Sequence, residues 1–306
     1  MAYETGTATG EQDLLDKLRI FAIAQGWTVN RYGTRADDAS GKELYLTKGG
    51  KYVVVLTTAT GGNSVNPVPI MCLIPVTGYS AGNYNVQPGY PGSFTATNNI
   101  PGPYVAYHFF ADVDYIHVVI EVTGGSFRHF GFGTMEKFGA YTGGEYVYAQ
   151  NWRYSDTSTT NNPNSSWNAI PFDNIGTNAN YVSTYVRADI DGNTNKWWSS
   201  VQFGSSRIFG GFVSGTLENL RLCSPNAFNG LSILSKLWQL VQRPGGVLWS
   251  PLGAPKDIRY IDITNYTPGQ EFSIGPDTWK VFPVIVKNGA ANTPNSNAYG
   301  LAFRKF

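Results

Sequence analysis

Charge is the scarcest commodity in this 306-residue chain: Asp, Glu, Lys and Arg together make up 14% of it, against roughly 25% in an ordinary soluble domain. The formal net charge is only +1 and no basic run occurs, so the chain has no long-range field to gather nucleic acid. Histidine is limited to three residues and cysteine to two, Cys72 and Cys223, which lie far apart in apolar contexts. Two free thiols are the expectation for them. The first residues, MAYETGTATGEQD, have neither a basic nor an apolar leader segment. The longest apolar runs, such as Val113–Val122, are too short to span a bilayer, so no membrane anchor is expected.

Aromatics and turn formers are what the chain has in quantity: 19 Tyr, 17 Phe, 8 Trp, 35 Gly and 17 Pro. That balance predicts a mainly β fold, a β-sandwich or barrel-like set of sheets built on an antiparallel meander. Three β-rich runs form the meander: Tyr104–Phe110, Tyr115–Val122 and Phe127–Phe132. Their connectors carry Asp112 and Asp114 in one case and Gly124-Gly125 in the other, normal chemistry for hairpins. Val118, Val119, Ile120 and Val122 make the middle run nearly all apolar, as expected of a central strand covered on both faces.

The order DVDYIHVVIEVTGGSFRHFGFGTMEKFGAYTGGEYV within this stretch resembles structural proteins of tailed bacteriophages, of the tail, tail-tip or baseplate kind. Asp112–His117, Phe127–Gly133 and Lys137–Val147 carry the resemblance, with fainter echoes at Leu14–Trp27 and Tyr299–Lys305. It implies a virion structural protein, assembled in the bacterial host cytoplasm. Its partners would be other virion structural proteins and further copies of itself in a ring or trimer. Such a subunit is not an enzyme, uses no cofactor and binds no nucleic acid. His117, His129, Phe130, Gly131 and Gly133 are its expected structural framework. A receptor- or carbohydrate-binding protein of the tail, or a neck or collar component, is the alternative.

Elsewhere, Met1–Gly10 is small and polar and is expected to be a flexible arm. Thr9 and Gln12 offer a capping box for a helix from Glu11, with Leu14, Leu15, Leu18, Phe21 and Ala22 as its apolar stripe and Gly26 as its stop. A second short helix is predicted within Phe228–Arg243, and the remaining runs up to Tyr299–Arg304 read as strands. Pro69 and Pro75 mark Val68–Val76 as an edge strand or irregular segment. The organisation predicted is a helix-plus-meander domain over 1–160, with a long loop at 77–103, and a second β-rich subdomain over 161–306, not clearly independent of the first.

Chemistry is sparse. With His108 opposite His117, and His129 opposite Ile120, strand alternation puts His129 on the other face unless a one-residue bulge intervenes, so structural histidines are favoured over a metal site. Asp189–Asn195 looks like a calcium loop, but its glycine comes too early and Ser200 stands where a bidentate acid belongs, which favours a hairpin turn. Asp112 with Asp114, or Glu145 with Asp156, would serve a glycosidase only if they faced each other across a groove, and solvated turn carboxylates are the expectation. Trp197-Trp198, Tyr146/Tyr148 and Trp152/Tyr154 offer rings for sugar stacking, but at strand spacing they are expected to be core on one face and interface on the other. The candidate interface is the uncharged segment Tyr79–Pro103, whose Tyr79, Tyr84, Tyr90 and Phe94 are expected to dock on a neighbouring subunit and become ordered there.

Overall fold

Three β layers stack on one another, with the meander in the middle. A computed structural model describes residues 1–58, 69–98, 100–150, 171–172, 183–190, 197–199, 208–210, 225–242, 249–287 and 299–306. Among these, the central sheet runs β1 (Ala2–Ala8), β7 (Tyr104–Asp112), β8 (Tyr115–Thr123), β9 (Ser126–Lys137), β10 (Thr142–Ala149), β11 (Thr184–Asp189) and β12 (Trp197–Ser199). A branch joins it where β16 (Trp249–Pro255) pairs with the far end of β9 and with β15 (Gln239–Gln242), which pairs β13 (Ile208–Gly210).

The first outer sheet is a meander of β2 (Thr28–Thr34), β3 (Lys42–Lys48), β4 (Lys51–Thr58), β5 (Ile70–Val76) and β6 (Thr95–Asn98). The second has the order β14 (Ser235–Lys236), β17 (Ile258–Asp262), β20 (Tyr299–Arg304), β19 (Asp277–Pro283) and β18 (Glu271–Ile274). The mainly antiparallel β architecture with one helix near the N-terminus matches the sequence expectation.

Strand alternation divides β8 between two cores. Ile116, Val118, Ile120 and Val122 join the helix and the first outer sheet in one core, against Leu44, Leu46, Val53, Val55 and Leu73. Tyr115 and Val119 point the other way, into a core with Ile258, Tyr260, Phe282, Leu301 and Phe303 of the second outer sheet. The helix α1 (Glu11–Ala24) buries its Leu14, Leu15, Leu18, Phe21 and Ala22 stripe in the first core, each large side chain contributing about 2 kcal/mol. At its end Trp27 N–H donates to Ala22 O at 2.9 Å while Gly26 takes φ +79°, a Schellman stop that only glycine adopts without strain.

Four local expectations are corrected. The N-terminal arm is a strand: β1 pairs with β7, and Thr5 Oγ1 donates to Tyr107 O at 2.8 Å, so an edge of the central sheet fixes it. The N-cap is Gly10, with no side-chain cap; Asp13 reaches back to Thr9 N–H at 2.8 Å, and Gln12 instead bonds Ser40 O at 2.7 Å. Strand β5 is internal from Ile70 to Leu73, because β6, formed from within the expected loop, pairs along it; Pro75 lies beyond the end of β6. The second helix is absent: the segment 228–242 holds β14 and β15, because pairing with β17, β16 and β13 overrides the helical pattern of LSILSKLWQLVQ. The expected division at 160/161 falls outside the described residues.

Candidate interaction surface and the histidine framework

The segment after β5 folds back over the outer face of the first outer sheet. That face is apolar, with Tyr45, Val54, Leu56, Cys72, Ile74 and Val76 buried, and Tyr84 and Tyr90 pack onto it. Tyr84 meets Tyr90 edge-on at 5.9 Å and Phe94 at 6.5 Å, while Tyr79 stands edge-on to Tyr45 at 5.7 Å. All four rings expected at the interface therefore sit on one face of one sheet. Burial pushes the thiol of Cys72 beneath them up to about 12, which leaves it an unreactive core group. Cys223 lies outside the described residues.

A buried glutamine holds the loop in shape. Gln87 Oε1 accepts from Ser80 N–H at 2.8 Å, and its Nε2 lies 2.7 Å from Gly82 O, 3.1 Å from Asn83 O and 3.1 Å from Ser80 O. Thr77 N–H donates to Pro88 O at 2.8 Å, closing the base. Arg31 ties the loop to the sheet: it pairs with Glu43 at 2.9 Å and donates to Ala81 O at 2.9 Å. The expectation that the loop gains its order only on a neighbour is thus corrected. It is already ordered on its own chain and covers an apolar face, so removing it would uncover a core. Its outer surface keeps Val86 63%, Tyr79 38% and Phe94 38% exposed, in a stretch with no charged residue from 79 to 103. Val86, Gln87 and Arg31 were not singled out from the sequence. A polar residue amid Pro, Gly and Asn gives no pattern that would mark it as buried.

The histidines are the second correction. The structure pairs Phe110 with His117 and Val119 with His129, so His108, His117 and His129 share one face of the central sheet. The cause is a one-residue bulge. Thr123 pairs with Ser126 as the Gly-Gly turn demands, but Glu121 pairs with Phe127, leaving Val122 as the extra residue and shifting everything beyond it. His117 Nε2 donates to Lys256 O at 3.0 Å, so its Nδ1 accepts from Tyr148 Oη–H at 3.1 Å. His129 Nε2 donates to Pro283 O at 2.8 Å, and His108 Nδ1 lies 2.9 Å from Tyr3 Oη. Burial holds all three imidazoles down to about 4, with nearby cationic charge (Lys280 for His108, Arg259 for His117, Arg128 for His129) acting in the same direction. Among the described residues, no group of three His, Cys, Asp or Glu side chains has the placement to hold a metal ion.

The rest of the framework has a steric role. A Cβ on Gly131 would lie 2.6 Å from Ile116 O, and one on Gly133 would lie 2.4 Å from Tyr115 Cβ, so both positions admit only glycine without movement. Phe130 is fully buried in the helix-side core. Tyr146, Tyr148, Trp197 and Trp198 are core residues. Asp114 is engaged by Lys51 and Lys256, and Glu145 by Arg187 at 3.3 Å. Trp152, Tyr154, Asp156 and the turn 191–196 lie outside the described residues. No helix among the described residues is long and apolar enough to cross a membrane.

The fold is that of a layered, antiparallel β protein with an aromatic lid on one outer face. No protein-family model matches the chain, and no curated protein matches it.

Proposed function

We propose that the chain is a non-enzymatic structural subunit of a tailed-phage virion, of the tail, tail-tip or baseplate kind. In this reading it assembles with other subunits, and with copies of itself in a ring or trimer, through the lid built on residues 79–98. The resemblance of residues 104–152 to such proteins supplies the class. The observation that carries the mode of action is the lid's outer surface: uncharged, aromatic, rigidly held and half-exposed at Tyr79, Val86 and Phe94. Interfaces favour aromatic side chains and exclude charge at their centres, and a surface that is already ordered loses little entropy on docking. A receptor- or carbohydrate-binding role draws support from the same half-exposed rings, which are able to stack on a sugar face.

The test is complementation of a phage lacking the gene with a Val86→Glu/Phe94→Glu variant. Val86 is largely exposed and Phe94 lies at the lid's edge against Tyr84, so the purified subunit should stay folded and lose no more than about 1–2 kcal/mol of stability. Incorporation into particles should fall about 100-fold, the scale of a lost interface hot spot. Undiminished incorporation would remove the lid from the assembly contact. Normal particles that no longer adsorb to cells would favour the receptor-binding role.

A further inference from the structure

All three histidines of the chain lie between the central sheet and the second outer sheet. His108 packs on Phe282 at 4.8 Å, and His117 and His129 each pack on Phe303 at 5.8 Å, with the His129 ring within 10° of parallel. Two of them also supply hydrogen bonds beyond the central strands, His129 to Pro283 O in β19 and His117 to Lys256 O beside β17. Beyond these, β9 meets the outer layer through Phe127 N–H to Ile285 O at 2.7 Å and the bridge of Ser126 with Val286. The opposite interlayer, against the helix and the first outer sheet, contains none of the three.

We propose that this interlayer is an acid-operated latch: proton uptake by His108, His117 and His129 releases the β17–β20–β19 layer from the central sheet and leaves the helix-side layers closed.

The surroundings offer the added protons little. Among the described residues His129 Nδ1 has no hydrogen-bond partner, so a proton there becomes a buried donor next in sequence to Arg128, with the backbone of Val284, beside Pro283, the group that favours the charged ring. His117 is enclosed by Tyr115, Tyr146 and Tyr148, with Asp257 and Arg259 the charged groups facing it. Asp257 is already committed to Tyr115 Oη at 2.9 Å and to Arg304 at 3.3 Å. His108 faces Tyr3, Lys280 and Glu271, and Glu271 is held by Lys280 at 3.0 Å and Lys305 at 3.1 Å. Among the described residues, no carboxylate is hydrogen-bonded to any of the three rings. The sign follows from burial: the closed layer keeps the imidazoles neutral down to about 4, whereas an opened layer takes up protons near the ordinary value of 6.5. Closure is therefore fully favoured above that ordinary value and weakens as pH falls towards 4.

Hydrogen exchange of the full chain at neutral pH and at about pH 4.5, corrected for the intrinsic rate, tests this. Protection at 258–262, 279–285 and 300–304 should fall at least about tenfold more than at 14–22, 44–47 and 53–56. In a His108→Gln/His117→Gln/His129→Gln variant, whose side chains donate hydrogen bonds but take up no proton, that selective loss should vanish. Equal loss of protection in all layers of the wild type would overturn the latch, and this arm stands even if the triple variant does not fold. Selective loss undiminished in a folded triple variant would overturn it too.

Discussion

Lys256 Nζ donates to Asp114 Oδ2 at 2.5 Å, and that contact ties the β16–β17 connection to the turn between β7 and β8. The other oxygen of Asp114 lies 3.3 Å from Lys51, in the first outer sheet. One carboxylate in the central layer therefore takes a lysine from the β3–β4 side and another from the passage into the second outer sheet. Burial opposes ionisation of Asp114, but the bond from Lys256 and the charges of Lys256 and Lys51 outweigh it and hold its carboxyl below the usual range.

Asp114→Ala should cost about 2 kcal/mol, because it leaves two partly buried ammonium groups without their acceptor. Lys51→Ala or Lys256→Ala should cost less, roughly 0.5–1 kcal/mol, since the carboxylate keeps its other partner and remains partly solvated. Denaturant midpoints at neutral pH measure the order. The Asp114 contribution is present above the ordinary carboxylate pKa of 3.8 and is lost as pH falls through its lowered value, so wild type and Asp114→Ala should converge in strong acid. A Lys256→Ala loss larger than that of Asp114→Ala would contradict the shared-acceptor arrangement.

Val119 is fully buried between the layers, opposite His108 on one side and His129 on the other. Val119→Asp places a carboxylate where burial and packing leave no room for water. The penalty, several kcal/mol, is on the order of the whole stability margin. The variant should be recovered only as insoluble protein. A soluble Val119→Asp with wild-type near-UV circular dichroism would mean that β8 is not the covered strand it is described to be.

The backbone of the meander was legible because its signals are local: Gly124-Gly125, the Asp-bearing connector and a mostly apolar run between them. The face of His129 was not, because one bulged residue, Val122, reverses every side chain after it and leaves no mark in the sequence. LSILSKLWQLVQ fails as a helix for a related reason. Its helical period is real, but three partner strands, β13 and β17 across the fold and β16 next along the chain, decide its pairing. The aromatic loop was legible as a chemical surface and illegible as a lid, since only the fold brings Tyr84 and Tyr90 over Cys72 and Ile74. Strand β1 shows the same limit: an edge that needs a strand is visible only once the sheet exists.

Gln87→Ala removes the acceptor for Ser80 N–H and the donor to three loop carbonyls. The partly buried backbone groups left unpaired should cost about 1 kcal/mol. That loss should appear as faster proteolysis within 79–94, with the central strands still protected. Gln87→Glu should be worse than Gln87→Ala, because a carboxylate facing carbonyl oxygens finds no donor in place of the amide. A Gln87→Ala lid as resistant as the wild type would show that the aromatic packing alone holds it.

The central proposal, that the chain is built into a tailed-phage virion, meets its most direct test in quantitative mass spectrometry of particles purified from cells that produce the protein. Peptides from residues 1–58 and 100–150 should appear in whole-number proportion to the other tail proteins and persist through density-gradient and high-salt washing. Particles of full infectivity in which those peptides are absent, while the protein stays free in the lysate, would contradict the account.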